Sequence, residues 1–308
     1  MDQGRVGFFT DTSVCIGCKA CEVACKEWNN VPEDGLDLLG MSYDNTGGLG
    51  ANSWRHVAFI EREVSLDREA FREREASVER EAALEREGSV GHAASLERER
   101  VDLGLPAFEL PGAATGGETR SDFGWLMSSD VCKHCTHAGC LDVCPTGALF
   151  RTEFGTVVVQ PDICNGCGYC VSACPYGVID RREDDGRAWK CTLCYDRLGD
   201  GLEPACAKAC PTDSIQFGPL DELRERAERR VADLRDEGVT QARLYGHDPR
   251  DGVGGDGAFF LLLDVPEVYG LPPDPVVPTR ELPSMWRYAG LAASALLAAA
   301  VNAFWGGR

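Results

Sequence analysis

The sequence predicts an α+β chain of two small cysteine-bearing units followed by one C-terminal transmembrane helix. Three observations predict it. Sixteen cysteines fall in four tight groups of four. A helical apolar period at Leu220–Leu234 is followed by a short strand-like run at Ala258–Leu263. The segment Tyr288–Trp305 carries no charge and is close to the minimum length for a spanning helix.

Composition narrows the function classes. A chain of 308 residues can bury one or two real cores. Its formal charge of −19 would repel a phosphate backbone, so no nucleic-acid partner is expected. A disulfide framework suits short secreted chains, and here the chain is long and its cysteines are clustered. The segment Met1–Thr10 has neither a basic stretch followed by an apolar run nor a twin-arginine pair, so no export signal is expected there.

The chain divides into five parts. Residues 1–60 hold the first cysteine group, 121–218 the other three, and 219–283 the helix and strand extension. Residues 284–308 form the expected anchor. Residues 61–120 form a charged insert with a loose six-residue repeat, SVERE at Ser77–Glu81, ALERE at Ala83–Glu87 and SLERE at Ser95–Glu99. Six residues turn a helix by about 600°, so the apolar positions precess and build no continuous stripe. A solvated helix or a low-complexity loop is expected there.

The first cysteine group is Cys15, Cys18, Cys21 and Cys25. The second is Cys132, Cys135, Cys140 and Cys144, and the third is Cys164, Cys167, Cys170 and Cys174. The fourth is Cys191, Cys194, Cys206 and Cys210. The third, followed by Pro175, is a full match to the bacterial ferredoxin run C-x2-C-x2-C-x3-C-P. The first keeps that spacing with Lys26 in place of proline. The second and fourth each lengthen one gap and keep the trailing proline. Short gaps let one loop wrap three soft thiolates around a cuboidal cluster, and the fourth cysteine reaches another cluster. Four [4Fe–4S] clusters are therefore expected, in two ferredoxin-like halves, and no [3Fe–4S] centre. Zinc sites use separated C-x2-C pairs, which is a different pattern.

The crossing rule sets the expected wiring. Cys132, Cys135 and Cys140 join Cys174, and Cys164, Cys167 and Cys170 join Cys144. By elimination Cys15, Cys18 and Cys21 join Cys210, and Cys191, Cys194 and Cys206 join Cys25. Gly17, Gly166 and Gly168 sit where backbone must approach a cluster closely. Lys19, Lys26, Lys133, Lys190 and Lys208 are the only lysines, each adjacent to a cysteine or one residue removed. They are expected to offset the negative charge of clusters and thiolates. His134 and His137 are expected to be loop or interface residues, because no cysteine ligand is missing. The glycine-rich Gly252–Gly257 neither follows a strand nor opens a helix, so it reads as a loop. With no catalytic signature present, the chain reads as an electron carrier and not as an enzyme by itself.

The chain resembles the iron–sulfur (beta) subunit of membrane-bound respiratory formate dehydrogenase, within the four-cluster subunits of molybdopterin oxidoreductases. The resemblance rests on GFFTDTSVCIGCKACEVACKEWN (Gly7–Asn29), KCTLCYDRLGDGLEPACAKACPTDSIQFG (Lys190–Gly218) and VYGLPPDPVV (Val268–Val277), followed by the C-terminal helix. It implies a catalytic (alpha) subunit with a molybdenum or tungsten bis-pterin, and a membrane cytochrome b (gamma) subunit that reduces quinone. It also implies a single-pass membrane protein whose cluster domain lies on the extracytoplasmic face, exported with its partner. The cluster pattern alone also serves reductases of sulfur compounds, nitrite and other acceptors. The charged insert departs from the family pattern.

Overall fold

The computed structural model describes residues 4–35, 43–44, 46–63 and 123–305. The chain clusters into two compact units, Met1–Ile60 with Leu126–Arg308, and Glu61–Trp125. The repeat at Ser77–Glu99 lies outside the described residues.

The first cysteine group lies between β1 (Val6–Asp11) and the end of α1 (Ala20–Asn29). β2 (Arg55–Glu63) and β3 (Phe123–Val131) form a two-stranded ribbon. α2 (Gly139–Asp142), the hairpin of β4 (Leu149–Arg151) and β5 (Val157–Val159), and α3 (Tyr169–Ser172) carry the second and third groups. The short pair β6 (Asp180–Arg181) and β7 (Ala188–Trp189) leads to α4 (Tyr195–Gly199) and α5 (Ala205–Lys208), which carry the fourth. β8 (Ile215–Pro219), α6 (Leu220–Asp236), β9 (Arg243–Tyr245), β10 (Ala258–Leu262) and α7 (Leu282–Trp305) follow.

β8, β1, β10 and β9 form one sheet in that order. β1 runs antiparallel to β8, with Phe8 opposite Phe217, and parallel to β10, with Phe8 opposite Ala258. The period of two sends alternate side chains to opposite faces. Phe8 faces a core that contains Cys21, Cys25, Cys191 and Cys206. Phe9 faces α6 and stacks on Phe259 with ring centroids 5.4 Å apart.

The helical period holds as expected. Leu220, Leu223, Ala227, Val231 and Leu234 are all buried on one face of α6. Gly238, at φ +94°, ends the helix. The Val239 amide bonds the Leu234 carbonyl and the Gly238 amide bonds the Arg235 carbonyl, the double closure of a Schellman cap. The apolar run at Ala258 is the fully buried strand β10.

The C-terminal helix begins six residues before the uncharged segment, at Leu282, and takes Arg287 into its first turns. Together with the turn before it, the span Pro278–Trp305 is long and apolar enough to cross a membrane. None of α7 is buried against the protein, and Leu291, Leu296, Leu297 and Phe304 are exposed. An apolar helix docked on the cysteine domain would bury such a face, so α7 fits a membrane anchor.

Candidate metal centres

The first and third cysteine groups repeat one local design. A single 3-10 turn, Thr12–Val14 or Pro161–Ile163, delivers Cys15 or Cys164. Two residues later Gly17 or Gly166 takes a left-handed φ of +65° or +72°. A Cβ at Gly166 would lie 2.4 Å from the Gly186 carbonyl oxygen, and one at Gly17 would meet the Phe59 ring at 2.6 Å. Only glycine lets the loop close that tightly.

A second left-handed residue then opens the helix. It is Gly168 in the third group and Lys19 in the first. A side chain there is strained, and Lys19 is tethered by Glu22 and Asp44, each 3.2 Å from its ammonium. Asp44 also bonds His56 at 2.6 Å and accepts from the Thr46 amide at 3.1 Å. Burial alone would raise the Asp44 carboxyl. The bonds from His56, Thr46 and Lys19 outweigh it and hold the group well below the usual carboxylate range.

Helix contacts pair the groups. α1 packs on α5, which brings the first group beside the fourth. α2 packs on α3, which brings the second beside the third. Gly139 permits the second approach, because a Cβ there would lie 2.7 Å from the Ala173 carbonyl oxygen.

One cavity, of about 290 Å³ of empty space, is lined by Cys15, Cys18, Cys21 and Cys210. Another, of about 350 Å³, is lined by Cys132, Cys135, Cys140 and Cys174. Asn29 Nδ2 lies 3.8 Å from Cys25 Sγ and 3.7 Å from Cys194 Sγ, and burial first, with the charge of Cys206 adding to it, raises both thiols. Burial, then the neighbouring Cys164, Cys167 and Cys144, push the Cys170 thiol up to about 11. Burial is likewise the main cause that pushes Cys25 and Cys140 up to about 12. Among the described residues no three His, Cys, Asp or Glu side chains converge tightly enough to hold a single ion. The thiols instead line open spaces, as a bulky cluster would need.

The lysines divide. Lys19 lines the first cavity, and Lys133 and Lys190 line the second. Lys133 is buried, paired with Asp130, and lies over the Tyr176 and Phe260 rings at 5.2 and 5.0 Å. Lys190 is buried and donates to the carbonyls of Val157 and Cys191. Burial would lower its ammonium, and the nearby Cys132, Cys140 and Cys191 raise it instead. Lys26 bonds the Pro32 carbonyl and Lys208 pairs with Glu203 at the surface, and neither lines either cavity.

Sequence reasoning missed four features. His134 lies in the loop after β3, and what the sequence did not show is that it is buried there at a φ of +46° and lines the second cavity. The loop Gly252–Gly257 clasps the second group, with the Thr136 and His137 amides on the carbonyls of Gly255 and Val253. Asp256 in that loop accepts from the Tyr176 hydroxyl at 2.8 Å, and burial pushes its carboxyl up to about 7. Arg55 is buried on β2 with its guanidinium 4.9 Å from the Phe8 ring centroid. Burial would lower Arg55, and the sulfurs of Cys206, Cys21, Cys191 and Cys25 raise it. No local sequence signal marks Arg55, because its neighbours come from other parts of the chain.

Paired helical cysteine loops around buried cavities, beside a mixed sheet, define an iron–sulfur protein of the dicluster type. Two family models agree, each described as a 4Fe-4S dicluster domain, one over residues 14–148 and one over residues 123–220. The chain is 35% identical to the formate dehydrogenase, nitrate-inducible, iron-sulfur subunit of Escherichia coli over 93% of this chain and 78% of that protein. It is 38% identical to the formate dehydrogenase iron-sulfur subunit of Haemophilus influenzae over 87% of this chain and 68% of that one. Its identity to one chain of the anaerobic dimethyl sulfoxide reductase of Escherichia coli is 31% over 72% of this chain and 77% of that one. The chain belongs to the family of formate dehydrogenase iron–sulfur subunits.

Proposed function

We propose that this chain carries electrons from formate oxidation in a molybdenum or tungsten–pterin catalytic subunit to a membrane cytochrome b and quinone. The likeness over 93% of the chain to a formate dehydrogenase iron–sulfur subunit carries this reading. Four [4Fe–4S] clusters supply the one-electron chemistry. Their proposed ligands are Cys15, Cys18, Cys21 and Cys210; Cys132, Cys135, Cys140 and Cys174; Cys144, Cys164, Cys167 and Cys170; and Cys25, Cys191, Cys194 and Cys206. The cavity linings and the packing of α1 on α5 and α2 on α3 support these sets. Clusters ligated wholly by cysteine leave no open position for substrate, so this subunit does not catalyse by itself.

The residues around the cavities serve this role. Buried apolar walls exclude water, and the glycine turns let backbone approach sulfur. Lys190 supplies positive charge that favours the reduced state beside Cys132 and Cys140. α7 spans the membrane once, with the cysteine units on the extracytoplasmic face after export with the catalytic partner.

A second reading is electron transfer for another molybdopterin oxidoreductase. The likeness to a dimethyl sulfoxide reductase chain favours it, over a smaller part of the sequence. Electron paramagnetic resonance on the complex purified from membranes, before and after anaerobic formate, separates the two. Formate should bring up reduced [4Fe–4S] signals. Clusters that reduce with dithionite and stay silent with formate would end the formate assignment.

A further inference from the structure

Among the described residues, Arg55 is the buried charge that the packing leaves least satisfied. It is 2% exposed. Its Nη1 donates to Ser129 Oγ at 2.9 Å, and that hydroxyl lies 3.2 Å from Cys21 Sγ. Its Nε and Nη2 are buried with no hydrogen-bond partner in the protein. Among the described residues no carboxylate forms an ion pair with it. A guanidinium left in this state is costly unless something nearby supplies negative charge and acceptors. Its guanidinium lies 4.9 Å from the centroid of the Phe8 ring, and Phe8 packs in the same buried cluster as Cys21, Cys25, Cys191 and Cys206, whose sulfurs favour the charged guanidinium.

Those four cysteines do not belong to one ligand set. In the proposed sets, Cys21 belongs to one cluster, and Cys25, Cys191 and Cys206 belong to its neighbour. We propose that Arg55 is a shared positioning cation of two adjacent clusters, its unpartnered N–H groups donating to their sulfur atoms. This inference rests on the cluster assignment proposed above.

The consequence is electrostatic. Reduction adds one negative charge to a cluster, so a fixed cation beside it favours the reduced form and raises its potential. One cation between two clusters raises both. The energy step from one to the other is then nearly preserved while the pair moves together. A guanidinium suits this role, since it stays protonated and presents donors in a flat fork.

The test is a redox titration of the full chain carrying its clusters, monitored by electron paramagnetic resonance, in the wild type, Arg55→Met and Arg55→Lys. Arg55→Met should make two cluster signals harder to reduce. Each should shift by at least a tenfold change in the reduced-to-oxidised ratio, about 59 mV for one electron. Arg55→Lys, which keeps the charge, should shift less at both. Wild-type potentials in Arg55→Met, or a shift confined to one cluster, would overturn the proposal. If Arg55→Met loses iron, Arg55→Gln, planar and neutral, takes its place under the same criteria. Iron and sulfide analysis of the wild type keeps the two ideas apart. Four intact clusters with unmoved potentials sink only the role of Arg55, whereas a wild type without them sinks the cluster assignment and this inference with it.

Discussion

His134 and Lys190 are held by the two sides of one residue. The Val157 amide donates to His134 Nδ1 at 3.1 Å, and the Val157 carbonyl accepts from the Lys190 ammonium. The first bond fixes the His134 proton on Nε2. β5 is thus the strut between the second cysteine group and the residue that precedes the fourth. Replacing Lys190 with Met should strip two buried carbonyls, those of Val157 and Cys191, of their donor. A loss of about 1–3 kcal/mol for each unsatisfied group is expected. Guanidinium denaturation followed by far-UV circular dichroism checks it, and an unchanged midpoint would refute the strut.

The glycine turns should differ sharply in tolerance. Gly166→Ala meets both a left-handed backbone and the Gly186 carbonyl, whereas Gly147, at φ +69°, has open space where an added methyl would sit. Gly147→Ala should cost only about 1–2 kcal/mol, the left-handed penalty. Gly166→Ala should cost more and lower the iron content per chain. Equal iron in the two variants would show that close approach at Gly166 is dispensable.

Leu223 is buried on α6 and Glu225 lies on its exposed face. Leu223→Ala should destabilise by about 2–5 kcal/mol, and Glu225→Ala by less than about 0.5 kcal/mol. Urea melts of the two variants read the difference.

Asp44 carries a pH signature. Its folded carboxyl is held below the ordinary range, so the stability it adds is complete above its unfolded value near 3.9. That stability is lost as pH falls through the lower folded value. Asp44→Asn should weaken the fold at neutral pH and flatten the acid limb of a stability–pH profile. Parallel profiles for wild type and variant would contradict the assignment.

Leu296 lies in the middle part of α7 and is exposed. An arginine there would cost about 2.5–3.5 kcal/mol in a spanning helix. Leu296→Arg should move the protein from the membrane fraction to the soluble one on gentle lysis. An unchanged distribution would mean that α7 is not what holds it there.

What the sequence made legible was local. α6 and its glycine stop, β10 and the cysteine loops each follow from a period or a spacing within a few residues. The central sheet was not legible, because nothing near Phe8 says that its partner is Ala258. Arg55 was hidden for the same reason. It reads as one arginine before an apolar strand until Ser129 on β3 and Phe8, which packs with cysteines of two groups, come up against it. Proximity in sequence also did not show the partners of Lys26 and Lys208, the Pro32 carbonyl and Glu203. The glycines of Gly252–Gly257 looked like plain loop because their function lies in the group they clasp, more than a hundred residues earlier.

The parallel pairing of β1 with β10 sets a schedule for biosynthesis. β1 is made before every cysteine and β10 after every one. The sheet beside the first cysteine group therefore stays open until β10 has left the ribosome. Contacts this far apart close slowly. A cluster loaded earlier would sit in loops with no finished sheet behind them, because β1 cannot pair with β10 before β10 is made.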